Sequence, residues 1–326
     1  MIVILGSGRS GTTWLGKIFD SHRDTVYLHE PDYTIAHETL PFFPEKKDVD
    51  SLRSEAATYL DRLCQARDLK STGSLPVFEK SYRGPATTAL LRYWIRTGKA
   101  VEAVLRKLGA TPSIQCPRFL APRETSSAAR PTVRHVIKSV NSPGRAYLFA
   151  QTGRVRNIIQ IVRHPCGQVA SRLRGVALGK MDDKVYLETV SNLAVAKSYD
   201  FTLEALRGLS LEEQMAWQWA LVNEAMMVEM DGWPGYRLVR YEDLCREPIS
   251  VTKDLFEACG LDWCDQTAAF LSASTGGRSG SERYFDVFKN PLQAATKWRQ
   301  ELTGDQIDRI MGQIAQTKPG QLFLED

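Results

Sequence analysis

The chain of 326 residues lacks several features that would place it in a specialised class. It has six cysteines but no CxxC pair, so the sequence indicates neither a zinc site nor a disulfide framework. The short apolar run from Ile2 to Leu5 is followed at once by glycine, and it is too short for a signal-peptide core or a membrane span. Because thiols without a pairing pattern suit a reducing compartment, we expect a cytoplasmic protein.

An excess of charge of one sign is also missing. The 42 Lys and Arg residues nearly balance the 38 Asp and Glu residues, and a net charge of +4 is too small to predict binding to nucleic acid. It leaves room for a local basic pocket that binds an anion. The hydrophobic fraction of 43% and the charged fraction of 25% are ordinary for a soluble globular protein, which excludes a disordered chain, a collagen-like fibre and a coiled-coil rod.

Short β-branched apolar runs alternate with segments of helical periodicity along the chain. This alternation predicts an α/β fold in which helices flank a P-loop-like, mostly parallel central sheet. Between about residues 45 and 130 helical periodicity and Pro-, Gly- and Ser-rich loops predict a helical insertion. Since no internal repeat is present, we predict one domain over residues 1–326 that carries this insertion. Residues 275–281, rich in Gly and Ser, are predicted to form a mobile loop.

Gly6 and Gly11 have the G-x-x-x-x-G spacing of a phosphate-binding loop, between a predicted strand and a predicted helix. Glycines let the backbone turn its N–H groups toward an anion, and the helix N-terminus adds a favourable dipole. In nucleoside triphosphatases a Lys follows the second glycine, but here Thr12 takes that place and the cation is Arg9, inside the loop. With Arg9, Thr12 and Thr13 as donors, the loop suits a single 5′-phosphate better than a γ-phosphate.

The segment from Gly6 to Leu15 resembles the 5′-phosphosulfate loop of the sulfotransferases that use 3′-phosphoadenylyl sulfate (PAPS), a family with a P-loop-like α/β fold. The resemblance implies that PAPS is the sulfuryl donor and that no metal is required. It also implies that the loop and the first helical turn bind this donor, through Gly8, Arg9, Ser10, Gly11, Thr12, Thr13 and Trp14.

A second segment is similar to the motif with which this family binds the 3′-phosphate. Arg163 follows a predicted strand, and Ser171 lies eight residues further on, in the next helix. The resemblance implies a bidentate contact from Arg163 and a further hydrogen bond from Ser171. More weakly, Lys297 and Trp298 resemble a late segment that closes over the nucleotide in the tyrosylprotein and carbohydrate branches, although Trp298 also suits an ordinary core position.

The resemblance also suggests where the catalytic base lies. Lys138 matches a strand lysine of the family, but the cytosolic-type members carry a His two residues later, where this chain has Val140. The carbohydrate and tyrosylprotein branches use a Glu about 21 residues after the basic residue of the loop, and that position is Glu30. The implied catalytic residues are therefore Glu30 as base, with its pKa lowered by the cations, and Arg9 and Lys138 as charge stabilisers. His29 is the alternative base.

The activity implied by the resemblance is transfer of a sulfuryl group from PAPS to a hydroxyl of a carbohydrate, a glycolipid or another hydroxylated metabolite. The partner is then a small-molecule or glycan acceptor, and the sequence indicates no oligomeric state. Two alternatives stay open, a P-loop kinase of a small molecule and a non-catalytic nucleotide-binding module. The candidates for an acceptor wall are the aromatic residues Phe42, Phe43, Tyr93 and Trp94.

Overall fold

A computed structural model describes residues 1–37, 39–110, 112–121, 133–276 and 290–325. In this part of the chain a five-stranded sheet has the order β2-β3-β1-β4-β5, and its neighbouring strands are all parallel. The predicted α/β fold with a parallel central sheet is thereby confirmed. The strands are β1 (Ile2–Leu5), β2 (Thr25–His29), β3 (Arg134–Ser139), β4 (Asn157–Val162) and β5 (Tyr236–Arg240).

Helices cover both faces of this sheet. Those of the first half of the chain are α1 (Thr12–Ser21), α2 (Val49–Cys64), α3 (Leu69–Thr72), α4 (Pro85–Lys107), α5 (Ala146–Gln151) and α6 (Pro165–Ala177). Those of the second half are α7 (Leu187–Ser191), α8 (Leu203–Arg207), α9 (Leu211–Met230), α10 (Tyr241–Arg246), α11 (Pro248–Ala258), α12 (Asp265–Thr275), α13 (Pro291–Thr296), α14 (Trp298–Glu301), α15 (Gly304–Ile314) and α16 (Lys318–Gln321).

The central strand β1 is buried on both faces, which explains its uninterrupted apolar sequence. Side chains alternate along a strand, so Ile2 and Ile4 pack on one face with residues of α1, α10, α11 and α12. Val3 and Leu5 pack on the other face with residues of α2, α5 and α9. The loop after β1 is therefore anchored by the two largest parts of the core.

The segment between β2 and β3 divides into two structurally different parts. Tyr59, Leu60 and Leu63 of α2 belong to the same core cluster as Val3 and Leu5 of β1. α4 instead packs through a smaller cluster formed by Leu91, Ile95, Cys116 and Leu120. The single domain with an insertion at about 45–130 stays a prediction, and residues 122–130, like residues 277–281 of the predicted loop, lie outside the described residues.

Two general properties of the described residues complete the fold. No helix among them is long and apolar enough to cross a membrane. The six cysteines, all of which lie in the described ranges, form no disulfide, and no cluster of three or more His, Cys, Asp or Glu residues within these ranges is placed to hold a metal ion.

A buried charge cluster fastens α1, the helix that follows the glycine-rich loop, to the segment after α3. Asp20 of α1 forms ion pairs with Lys17 and with Lys80, and both ammonium groups are buried. Lys17 also donates to the backbone oxygens of Ser74 and Pro76. Such a cluster is stable only while every charge in it is paired.

We predict that Asp20→Asn lowers the free energy of unfolding by about 3–5 kcal/mol, because two buried ammonium groups lose their shared carboxylate. Urea denaturation measures this change. The matched control is Asp61→Asn, which removes the exposed ion pair with Arg154 (2.9 Å) and is expected to cost less than about 1 kcal/mol. Equal effects of the two substitutions would contradict the structural role of the cluster.

Candidate functional site

The predicted site residues meet at the edge of the sheet where the strands end. All five strands are parallel, so the loops after them gather at one edge. In the register, Lys138 of β3 lies beside Ile4 of β1 on one side and beside His29 of β2 on the other. The glycine-rich loop and Glu30 therefore flank Lys138.

The backbone of the glycine-rich loop makes close contacts that only glycine permits. Gly11, directly before α1, has a φ of 95°, and a Cβ atom there would lie 2.3 Å from the ring of Tyr241. A Cβ atom on Gly6 would lie 2.6 Å from the backbone oxygen of Ile161 in β4. Arg9 also has a left-handed φ, 75°, which is uncommon for a residue with a side chain and frequent at functional sites.

The two motifs predicted to bind phosphates lie against each other. The Nε of Arg9 donates a hydrogen bond to the hydroxyl of Ser171 in α6 (3.0 Å). Arg163 donates from Nη1 to the backbone oxygen of Arg9 (3.2 Å), and the Gln168 side chain donates to the backbone oxygen of Gly8 (3.0 Å). Two motifs separated by about 160 residues in sequence thus form one cationic surface.

The guanidinium group of Arg163 is fixed from several sides. Its Nη2 donates to the backbone oxygen of Ala294 in α13 (2.5 Å), and the group lies 5.0 Å from the centre of the Tyr241 ring. Among the described residues, its Nε and the hydroxyl of Ser10 are buried polar atoms without a hydrogen-bond partner. Buried donors of this kind suit an anion with several acceptor oxygens.

The other predicted donor-binding residues have mainly protein partners. Trp14 donates from Nε1 to the hydroxyl of Ser274 (3.2 Å) and packs edge-on against Tyr241. Trp298 is buried and stacks on the ring of His164, with the ring centres 4.3 Å apart. The structure thus places Trp298 in the core against His164, and Lys297 forms an ion pair with Glu301 (3.2 Å). Their role toward a donor stays a prediction.

Glu30 lies in the tight turn directly after β2, beside the end of β3. Its φ is 50°, and its backbone N–H donates to the backbone oxygen of Lys138 (2.8 Å). One carboxylate oxygen, Oε1, accepts a hydrogen bond from the buried ammonium group of Lys138. The other, Oε2, lies 3.0 Å from the ammonium group of Lys70 in α3. Burial would raise the pKa of Glu30, but the charges of Lys138, assisted by His29 and Lys70, lower that pKa to about 2. Glu30 is therefore ionised at neutral pH.

Lys70 is a site residue that the sequence analysis did not identify. It lies in the region treated as an insertion, where no motif marks it, and its partners are far away in sequence. Its Nζ lies 3.1 Å from the centre of the exposed Tyr33 ring, and its side chain is 35% exposed, whereas that of Lys138 is 2% exposed. Lys70 is thus the more accessible of the two cations that hold Glu30.

Asp32 is a second residue without a sequence signal. It is buried just after Glu30 and accepts hydrogen bonds from the hydroxyls of Ser139 and Ser142 (the latter 2.7 Å). Burial raises the pKa of Asp32, and the two hydroxyl donors oppose that increase. Asp32 therefore ties the turn that carries Glu30 to the end of β3.

His29, the alternative base, is directed to different partners. Its Nδ1 shares a hydrogen bond with the hydroxyl of Tyr27 (2.9 Å). Burial and then the charge of Lys138 lower the pKa of His29 to about 3, so the imidazole is neutral at neutral pH. Its local contacts are thus with Tyr27, while the two lysines converge on Glu30.

Two of the four aromatic candidates for an acceptor wall pack into separate clusters, and the other two are exposed. Phe43 packs with residues of α7, α8 and α9. Phe42 is exposed, and the centre of its ring lies 4.8 Å from the guanidinium carbon of Arg145. Trp94 packs against the small cluster of α4, and Tyr93 is exposed on the same helix. The structure therefore does not bring these four side chains into one packed cluster.

Comparison with known proteins gives a consistent result. A model of the sulfotransferase family matches residues 2–265. The chain is 26% identical to carbohydrate sulfotransferase 1 of Rattus norvegicus, over 93% of this chain and 74% of that protein. It is also 26% identical to carbohydrate sulfotransferase 6 of Homo sapiens, over 95% of this chain and 77% of that protein.

A solved sulfotransferase structure is similar to this chain at a lower sequence identity. The sulfotransferase domain from the Synechococcus PCC 7002 olefin synthase superposes with a TM-score of 0.45 and 16% identity, over 96% of this chain and 93% of that chain. A TM-score below 0.5 does not establish a shared fold, so the assignment of the fold is based on the strand order described above.

The predicted cytoplasmic location is wrong. The carbohydrate sulfotransferases with which this chain aligns are Golgi-resident type II membrane proteins. The prediction used cysteine spacing and the start of the chain. Free thiols pack in a protein core in any compartment where no partner thiol lies within reach, so their presence does not determine a location.

We predict that Lys70→Met raises the pKa of Glu30, because the carboxylate loses one of the two ammonium groups that lower it. Titration of the Glu30 carboxyl carbon by NMR measures the change. Lys47→Met, which removes the partner of the exposed Glu45, is the matched control and should leave the Glu30 titration unchanged. An unaltered Glu30 pKa in Lys70→Met would show that Lys70 does not hold the carboxylate in solution.

Proposed function

Because the chain belongs to the sulfotransferase family, we propose that it transfers a sulfuryl group from PAPS to a hydroxyl of a carbohydrate, a glycolipid or another hydroxylated metabolite. The observation that carries this proposal is the ion pair between Glu30 and Lys138 at the sheet edge that also holds the glycine-rich loop. It supplies a carboxylate base and a cation beside a phosphate-binding backbone. The printed names of the relatives favour a carbohydrate acceptor.

The residues of the loop and of α6 fit the two phosphate groups of this donor. The loop carries Arg9 and leads into α1, whose first N–H groups suit the 5′-phosphate together with Thr12 and Thr13. Arg163 and Ser171 suit the 3′-phosphate, since the Arg163 Nε is a buried donor without a partner among the described residues. When bound, PAPS supplies an activated sulfuryl group, and the protein's task is to position it and to neutralise charge.

The transfer itself needs a base for the acceptor hydroxyl and cations close to the sulfuryl group and the leaving oxygen. The acceptor hydroxyl attacks sulfur in line with the departing 5′-phosphate oxygen, and Glu30 takes the hydroxyl proton. The bond from sulfur to the 5′-phosphate breaks, which leaves a sulfate ester and 3′,5′-adenosine bisphosphate. Lys138 and Arg9 stabilise the charge that moves from acceptor to leaving group. With its low pKa, Glu30 then passes the proton to water and is ionised again.

A P-loop kinase of a small molecule is a weaker alternative. Such an enzyme uses a Lys after the second glycine of its loop to bind the β- and γ-phosphates, and this chain has Thr12 there. A non-catalytic nucleotide-binding module does not need the Glu30–Lys138 pair, in which the charge of Lys138 is costly to bury. Both observations favour sulfuryl transfer.

We predict that Glu30→Gln lowers kcat for sulfuryl transfer by about 10²–10⁴-fold, the usual contribution of a general base, and leaves the affinity for 3′,5′-adenosine bisphosphate within a few fold. Transfer of labelled sulfate from PAPS to a panel of oligosaccharides measures kcat. His29→Asn tests the alternative base and is expected to keep most of the activity. Turnover by Glu30→Gln at the wild-type rate would exclude Glu30 as base.

We predict that Arg163→Ala weakens binding of 3′,5′-adenosine bisphosphate by roughly 10–100-fold, the value of one charge-assisted contact, and leaves binding of adenosine 5′-monophosphate nearly unchanged. Isothermal titration calorimetry with both nucleotides measures the difference. Arg154→Ala, at an exposed ion pair away from the site, is the control. If the wild-type protein binds both nucleotides equally, the proposed donor is wrong.

A further inference from the structure

The long helix α4 presents two different apolar stripes. Thr88, Leu91, Ile95 and Gly98 are buried and face the protein, where Gly98 lies against the side chain of Leu69. This inner stripe attaches the helix to the rest of the molecule. One face of α4 is therefore buried against the rest of the protein.

The second stripe, called the outer stripe here, faces solvent. Its residues recur at intervals of three and four, so they lie on one side of the helix for almost its whole length of about 35 Å. Their exposure ranges from 47% at Leu90 to 76% at Leu108, just after the last helical residue. The apolar members of the outer stripe are Leu90, Tyr93, Val101, Val104 and Leu108, with Thr97 between them.

The charge of α4 is as unusual as its outer stripe. It carries five basic residues, and Glu102 is its single acidic residue, so its net charge is +4. The whole chain also has a net charge of +4, so the rest of the sequence is balanced. Glu102 is paired with Arg106 (2.6 Å), which leaves an excess of positive charge along the helix. The basic residues are Arg92, Arg96, Lys99, Arg106 and Lys107.

We propose that the outer stripe and the basic residues of α4 dock on the surface of an anionic membrane. Such a surface matches both properties at once, because apolar side chains enter the acyl boundary while Lys and Arg side chains reach the anionic headgroups. A second copy of the chain fits less well, since two helices of charge +4 repel each other. Binding to the phosphates of a nucleic acid would account for the basic residues but not for the exposed apolar side chains of the outer stripe. This docking is independent of the proposed sulfuryl transfer, although a glycolipid acceptor would be presented at such a surface.

Co-sedimentation of the full chain with lipid vesicles tests the proposal. The probes are vesicles of phosphatidylcholine alone and vesicles of equal parts phosphatidylcholine and phosphatidylglycerol. The wild-type protein is expected to sediment with the anionic vesicles, not with the neutral ones, and less strongly as salt is added. Arg96→Gln/Lys107→Gln should lower the partition coefficient about thirtyfold, at roughly 1 kcal/mol per basic residue near the surface. Val101→Ser/Val104→Ser should lower it about tenfold.

Matched variants elsewhere on the surface control for general loss of charge or of exposed apolar area. Arg62→Gln/Lys197→Gln and Leu178→Ser/Ile249→Ser replace exposed residues outside α4 and should bind the anionic vesicles as the wild type does. Circular dichroism verifies that each variant is folded. Absence of vesicle binding, equal binding to both vesicle types, or an equal loss in the matched variants would overturn the proposal. A dimer that dissociates in Val101→Ser/Val104→Ser would also overturn it, in favour of a second copy.

Discussion

The ion pair between Glu30 and the buried Lys138 is the interaction on which the geometry of the site depends. An ammonium group as deeply buried as that of Lys138 requires a partner, and the carboxylate of Glu30 is within reach only because the turn after β2 takes a left-handed conformation. The backbone hydrogen bond from Glu30 to Lys138 and the contacts of Asp32 with Ser139 and Ser142 hold this turn against β3. These contacts join the ends of the two strands, and Lys70 adds a second cation from outside the sheet.

The order of the strands places the groups needed for the proposed reaction side by side, at the edge of the sheet where the strands end. β2 and β3 bring the base and its cation, β1 brings the glycine-rich loop, and β4 brings Arg163. Because β1 lies in the middle, the loop has the Glu30–Lys138 pair on one side and the Arg163–Ser171 motif on the other. The hydrogen bonds from Arg163 to the backbone of Arg9, and from Arg9 to Ser171, connect the two phosphate motifs. A donor that carries phosphates on the 3′ and 5′ positions of one ribose suits this arrangement.

The sequence motifs concern the local parts of the candidate site, because each motif depends on a few neighbouring residues. The glycines of the loop, the threonines after it and the spacing from Arg163 to Ser171 are set by one strand, one turn and one helix. Lys70 and Asp32 were not predicted because their roles arise from contacts with strands or turns far away in sequence, for which no spacing rule exists. The aromatic candidates for an acceptor wall show the same limit, since Phe43 and Trp94 pack into two different clusters.

The sequence by itself determined the parallel α/β fold, the glycine-rich loop between a strand and a helix, and the small net charge. Hydrophobic periodicity and glycine spacing encode these features along the chain. Only the tertiary structure decided which side chains face one another across the sheet edge, that α2 belongs to the main core, and that α4 carries a net charge equal to that of the whole chain beside an exposed apolar stripe. The physical reason is that burial and partner choice depend on strand register and helix packing, which join residues that no local pattern connects.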